Sequence, residues 1–149
     1  MKKNSHIPFD QHRQADRQLV LPSLLDSLNP IDQTTEEISE AMDFSEDDRD
    51  NIAIAVTEVA NNAIMHGNKL DYHKTVTVSF YEDEDRLTIY IKDEGRGFNP
   101  KELGNPLDPS NILKETGRGI FILRSLMDDV QFHSNAAGTE VKIVKIIRK

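Results

Sequence analysis

Glu58, Asn62 and His66 stand at intervals of four in the stretch EVANNAIMHGN, a carboxylate, an amide and an imidazole one helical turn apart. Asparagine competes with the helix for backbone hydrogen bonds and is a poor helix former. A helix that carries Asn61 and Asn62 side by side therefore invites a use for one of them. At ~100° per residue, Ile52, Val56, Val59 and Ala63 form one narrow apolar arc. Asn61 lies nearly opposite that arc and is expected to face water. Asn62 falls roughly 80° from its centre, on the border where a cleft would open. A carboxylate beside an amide oxygen is a hard-oxygen pair that suits Mg2+ better than zinc, and Mg2+ usually takes one or two protein ligands and fills the rest with water and phosphate. One metal ligand, Asn62, with a neighbouring base, Glu58, is chemically coherent. The same row also reads as an exposed helix flank, with His66 favoured by the C-terminal end of the helix dipole.

Two further clusters carry chemistry. DEGRGF, from Asp93 to Phe98, ends an apolar strand in which Asp93 shares parity with Leu87, Ile89 and Ile91, so its carboxylate points to the core side. A carboxylate buried there needs a donor, which a ligand's amino group could supply. Gly95 and Gly97 permit a tight turn and close approach of a flat ligand, although a plain turn after a strand has the same composition. TGRGIFILRSL, from Thr116 to Leu126, puts Gly117 and Gly119 at a helix start, where backbone N–H groups can converge on an anion. Arg118 could add a direct phosphate contact, with Lys114 a weaker candidate. The string is neither a P-loop nor a dinucleotide fingerprint. Thr139 opens the last strand with a hydroxyl that could meet a ligand.

The elements that must position these residues follow from periodicity. Residues 1–16 lack it and read as a loose N-terminal arm. RQLVLPSL reads as a short strand, with Pro22 marking an edge or a strand end. SLNPIDQTTEEISEAM repeats apolar residues at helical spacing, with Asn29 and Pro30 as cap and first-turn pair. DFSEDDRDNIAIAVTEVANNAIMHGN is the best helix, with Ser45 as cap, Glu46, Asp47 and Asp48 in its first turn, and Gly67 as stop. TVTVSFY and RLTIYIKD alternate around EDED and predict an antiparallel hairpin. Five of the seven glycines and three of the six prolines lie between residues 95 and 119, predicting a long loop. GIFILRSLMD reads as a short amphipathic helix, and DVQFHS and TEVKIVKII as strands around an NAAG turn. Helices before strands, with an antiparallel meander, predict an α+β fold: a two-layer sandwich of helices on one face of a mixed, mainly antiparallel sheet, spanning residues 17–149 as one domain.

Bulk properties narrow the function. The 149 residues suffice for one domain. A formal net charge of −8 argues against a general nucleic-acid binder but leaves room for a nucleotide held by local groups. The absence of cysteine excludes disulfides and thiolate metal sites. MKKNSHIPF is followed by no apolar run, so no signal peptide is expected, and no stretch approaches bilayer length. A cytoplasmic location is the expectation, with no membrane partner.

Taken in order, EVANNA, DEGRG, GRG and GTEV resemble the N box, the first and second glycine boxes and the closing strand of the GHKL ATPase superfamily, whose members include gyrase-type topoisomerases, a heat-shock chaperone, histidine kinases and mismatch-repair ATPases. The resemblance covers roughly residues 17–147. Its nearest branch is the anti-sigma-factor serine/threonine kinases, which GRGIFILRSLMDDV resembles. It implies a Bergerat-type ATP-binding fold, with Asn62 binding Mg2+ that bridges the phosphates and Glu58 as general base. It also implies Asp93 and Thr139 at the adenine, Gly95 and Gly97 lining the base pocket, and Gly117, Arg118 and Gly119 at the phosphates, under a mobile ATP lid over residues 99–116. His66 has a less settled place, and Asn61 none. The implied activity is transfer from ATP to a serine or threonine of a small antagonist protein, with a sigma factor as the alternative partner and a possible homodimer through the sheets. A nucleotide-gated protein-binding module with little or no kinase activity is the other reading.

Overall fold

The computed structural model describes residues 13–95 and 117–148. Strand β1 (Arg17–Pro22) leads through a 3-10 turn (Leu25–Ser27) into helix α1 (Leu28–Ala41). Helix α2 (Glu46–Asn62) follows and passes directly into a π turn (Ala63–Gly67). Strands β2 (Thr75–Glu82) and β3 (Arg86–Lys92) come next, then helix α3 (Gly117–Leu126) and strands β4 (Asp129–Asn135) and β5 (Gly138–Ile146). The sheet order is β1-β2-β3-β5-β4. Every pairing among these strands is antiparallel, so the mixed component allowed by the sequence pattern is absent from the described sheet. Local connections explain this: β2 to β3 and β4 to β5 are hairpins, which need no crossover. Pro22 ends β1 at the sheet edge, where a missing N–H costs least.

Register builds the core. Leu19, Val78, Ile91, Val141 and Phe132 pair in succession and form one apolar row across all five strands. The neighbouring row contains Phe80, Ile89, Ile143 and Val130. Onto this face pack Ile31 and Ile38 of α1, Ile52, Val56 and Val59 of α2, and Leu123 of α3, all buried. The helical stripe and the strand parity read from the sequence thus meet each other. At the far end Lys145, on the core side of β5, caps the last turn of α3 by donating to the Leu126 carbonyl at 2.5 Å and lies 3.6 Å from Asp48 at the start of α2. A cation at a helix C-terminus and a carboxylate at a helix N-terminus both suit the local dipole.

Two details differ from the sequence pattern. Ser27, not Asn29, holds the N-cap position of α1, because the 3-10 turn starts the winding early and places Asn29 and Pro30 inside the first turn. Residues 13–16 of the expected arm are docked: Arg13 pairs with Asp83 at 2.7 Å, and the Asp16 carboxylate accepts the Glu82 N–H at 2.7 Å. Residues 1–12 lie outside the described residues.

Candidate functional site

Helix α2 delivers the first half of the site. Ser45 caps it by accepting the Asp48 N–H at 3.1 Å, which satisfies a donor that the first turn would otherwise leave open. At the opposite end Asn62 is 9% exposed and donates its Nδ2 to Glu58 Oε2 at 3.1 Å. A carboxylate only accepts, so this bond fixes the amide with nitrogen toward Glu58 and oxygen away from it. Among the described residues, neither the amide oxygen nor the other Glu58 oxygen takes part in that bond. Asn61 is half-buried, more covered than a position opposite the apolar arc implies but still partly open to water.

His66 does not continue the row. From Ala63 the chain widens into a π turn, closed by the Asn68 N–H on the Ala63 carbonyl at 2.8 Å. A wider turn breaks the ~100° advance of an α-helix, and His66 is exposed. The π turn brings Gly67 against the second half of the site. A Cβ added at Gly67 would overlap Asp93 Oδ2, and one added at Gly95 would overlap the Gly67 carbonyl. Only glycine permits approach this close.

Asp93 extends β3 and is 5% exposed. Its Oδ1 accepts the Gly95 N–H at 2.9 Å and the Thr139 N–H at 3.1 Å, and its own N–H reaches the Thr139 carbonyl at 2.9 Å. The donors that the buried carboxylate requires are therefore already present in the backbone, before any ligand. Thr139 is also buried, its hydroxyl 2.9 Å from that of Ser134. Gly138, at φ 140°, lets the backbone of β5 pass the Asp93 carbonyl.

Burial pushes the Asp93 carboxyl above the usual carboxylate range, opposed by the Gly95 and Thr139 N–H groups and the charge of Lys74. The folded chain thus holds this proton more tightly than the unfolded one. Its contribution to stability is full below the ordinary carboxylate pKa and is lost as pH rises through the raised folded value. Asp93→Asn removes the titration. The unfolding free energy of that variant minus wild type is expected to grow as pH rises through this window and then level off, as measured by urea unfolding at a series of pH values. A difference that stays flat with pH would contradict it.

The structure therefore gathers Gly95, Thr139 and Asp93 into one seat and joins Glu58 and Asn62 on α2, with the π turn as the covalent link. Gly117 and Gly119 open α3, with Arg118 between them, in agreement with the expected helix start. Gly97, Lys114 and the expected lid lie outside the described residues. Asn68, Ser23 and Gly138 also bear on the site without having been singled out by sequence. Asn68 follows a helix stop, where a polar residue ordinarily signals only a solvated loop; it is 1% exposed.

A family model described as the histidine kinase-like ATPase domain matches residues 21–145. The chain is 30% identical over 138 residues to the serine-protein kinase RsbW of Bacillus mycoides (strain KBAB4), covering 89% of this chain and 85% of that one. It is 34% identical over 119 residues to the serine-protein kinase RsbW of Bacillus licheniformis, covering 75% and 73%. Among solved structures, the RsbU and RsbW domains of Rv1364c from Mycobacterium tuberculosis align with TM-score 0.60 and 15% identity over 89% of this chain and 33% of that one. The histidine kinase domain of the Erythrobacter litoralis EL346 blue-light activated histidine kinase aligns with TM-score 0.56 and 19% identity over 85% and 61%. At such identities these two structures speak for the fold alone.

Proposed function

Because the chain belongs to the histidine kinase-like ATPase domain family, we propose that it is an ATP-dependent protein-serine/threonine kinase of the anti-sigma-factor type, acting on a small antagonist protein. The observation that carries this reading is the Asn62–Glu58 bond on the border of α2, which directs the amide nitrogen to Glu58 and leaves the amide oxygen and the second carboxylate oxygen outside that bond. Relatives named as serine-protein kinases, matched over most of their length, support it.

Phosphoryl transfer asks a protein mainly for positioning and electrostatics. Asp93, seated by two backbone donors, accepts the adenine amino group, and Thr139 lines the same pocket from β5. The first turn of α3 turns its unpaired N–H groups toward the phosphates, with Gly95, Gly97, Lys114 and Arg118 completing the nucleotide contacts. The Asn62 oxygen is a hard, neutral donor of the kind Mg2+ accepts, and the described residues contain no cluster of three or more His, Cys, Asp or Glu that would hold a metal by itself. Bound there, Mg2+ would offset charge on the phosphates. The Glu58 oxygen not engaged by Asn62 takes the proton of the attacking hydroxyl. His66, exposed on the π turn, is kept as a peripheral candidate. A sigma factor as second partner, a homodimer and a cytoplasmic setting complete the proposal; no described helix is long and apolar enough to cross a membrane.

The test is calorimetry with ATP, with and without Mg2+. Asn62→Ala is expected to abolish the Mg2+-dependent part of ATP binding. Asn61→Ala, although half-buried, is expected to keep it. Equal loss in both variants would overturn the assignment of Asn62.

A further inference from the structure

Directly after the π turn lies a closed ring of polar contacts. Asn68 Nδ2 donates to Ser23 Oγ at 2.7 Å and to the Thr75 carbonyl at 3.0 Å, while its Oδ1 accepts the Glu94 N–H at 2.8 Å. The Thr75 N–H donates to Glu94 Oε1 at 3.0 Å, and Ser23 Oγ donates to the Lys74 carbonyl at 2.8 Å. The orientation of the amide is forced on every side. Ser23 has spent its proton on Lys74 and Thr75 offers a carbonyl, so both need a donor; Glu94 offers an N–H and needs an acceptor. An amide supplies both kinds of group, two N–H donors for Ser23 and Thr75 and an oxygen that accepts from Glu94. Asn68 thereby ties the end of β1, the start of β2 and the turn after β3 to the end of the α2–π segment.

The residues flanking this ring belong to the site. Glu94 sits between Asp93 and Gly95, whose N–H binds the Asp93 carboxylate. Gly67, next to Asn68, walls the same carboxylate from the other side. We propose that Asn68 is a positioning residue for adenine recognition: by clamping the Glu94 N–H and holding Gly67 in place, it sets the direction in which the Asp93 carboxylate meets the base, and so governs base selectivity. This rests on the reading of Asp93 as the adenine acceptor. Asn68 itself touches no nucleotide. Its effect passes through the 93–95 turn.

The measurement is calorimetry on the full chain with Mg2+ and two nucleotides, ATP and purine riboside triphosphate, which lacks the 6-amino group. Asn68→Ala is expected to weaken ATP about 10–100-fold, the size of one misplaced hydrogen bond to a charged group, and to leave purine riboside triphosphate nearly unchanged. Ser23→Ala, a milder change that removes one anchor of the amide, should move selectivity in the same direction by less and covers the case in which Asn68→Ala fails to fold. Equal weakening of both nucleotides, or a lowered melting temperature with selectivity intact, would overturn the inference, since the ring would then only hold the fold. Asp93→Asn separates the two levels. If it erases selectivity while both ring variants keep it, the inference alone fails; if it keeps wild-type selectivity, the assignment of the adenine acceptor fails and the inference with it.

Discussion

Glu58→Gln is expected to bind ATP nearly as well as wild type and to transfer the phosphoryl group roughly 10²–10⁴-fold more slowly, the range typical of a lost general base. Glutamine still accepts the Asn62 N–H that Glu58 accepts at 3.1 Å, so the amide oxygen of Asn62 keeps its direction. What disappears is the second carboxylate oxygen and its capacity to take a proton. Glu58→Ala should lose transfer to the same degree and also loosen Asn62, adding a modest loss of Mg2+-dependent affinity. Single-turnover transfer to the protein substrate, set beside calorimetry for ATP, distinguishes the two effects. Transfer that survives in both variants would remove Glu58 from its role. A wild-type chain that binds ATP without transferring would favour the nucleotide-gated binding module.

Gly67→Ala is expected to be as damaging, by a different route. The added methyl would overlap Asp93 Oδ2, and the neighbourhood has little room to yield. Asp93 is held by the Gly95 and Thr139 N–H groups, and the π turn is closed onto Asn68. Either the carboxylate swings off its two donors or the π turn shifts. Both would displace the carboxylate proposed to receive the base, so ATP affinity should fall by roughly 100-fold or more, and overpacking should cost about 1–3 kcal/mol of stability. The double variant Gly67→Ala/Asp93→Gly relieves the overlap. It should recover stability, read by urea unfolding, without recovering ATP binding. A Gly67→Ala chain that binds ATP normally would show that Asp93 does not face the ligand across Gly67.

The parts of the molecule legible in sequence are those governed by a local period. Ser45 as cap, the arc Ile52–Val56–Val59–Ala63, the hairpin of β2 and β3 and the inward parity of Asp93 all follow from the repeat of 3.6 or of 2, and the structure carries each of them. The pairing of Glu58 with Asn62 was legible for the same reason. His66 was not, because no propensity marks the point at which an α-helix relaxes into a π turn. Asn29 was misplaced as a cap because a 3-10 turn before α1 starts the helix earlier than its composition suggests. The exposure of Asn61 depends on which neighbours pack against α2, and that is invisible in a helical wheel.

Sequence alone, then, determined the order of elements, the inward faces and the residue types able to bind a metal, a base and phosphates, since each depends on contacts within a few residues. Tertiary structure alone decided that Asp93 finds its donors on Gly95 and Thr139, that Gly67 closes the seat, and that Asn68 joins Ser23, Thr75 and Glu94. These contacts link residues up to 46 positions apart. Their energy arises only when four strands and a helix end arrive at one place, because a buried polar group must find its partner in space and no local pattern records where that partner will be.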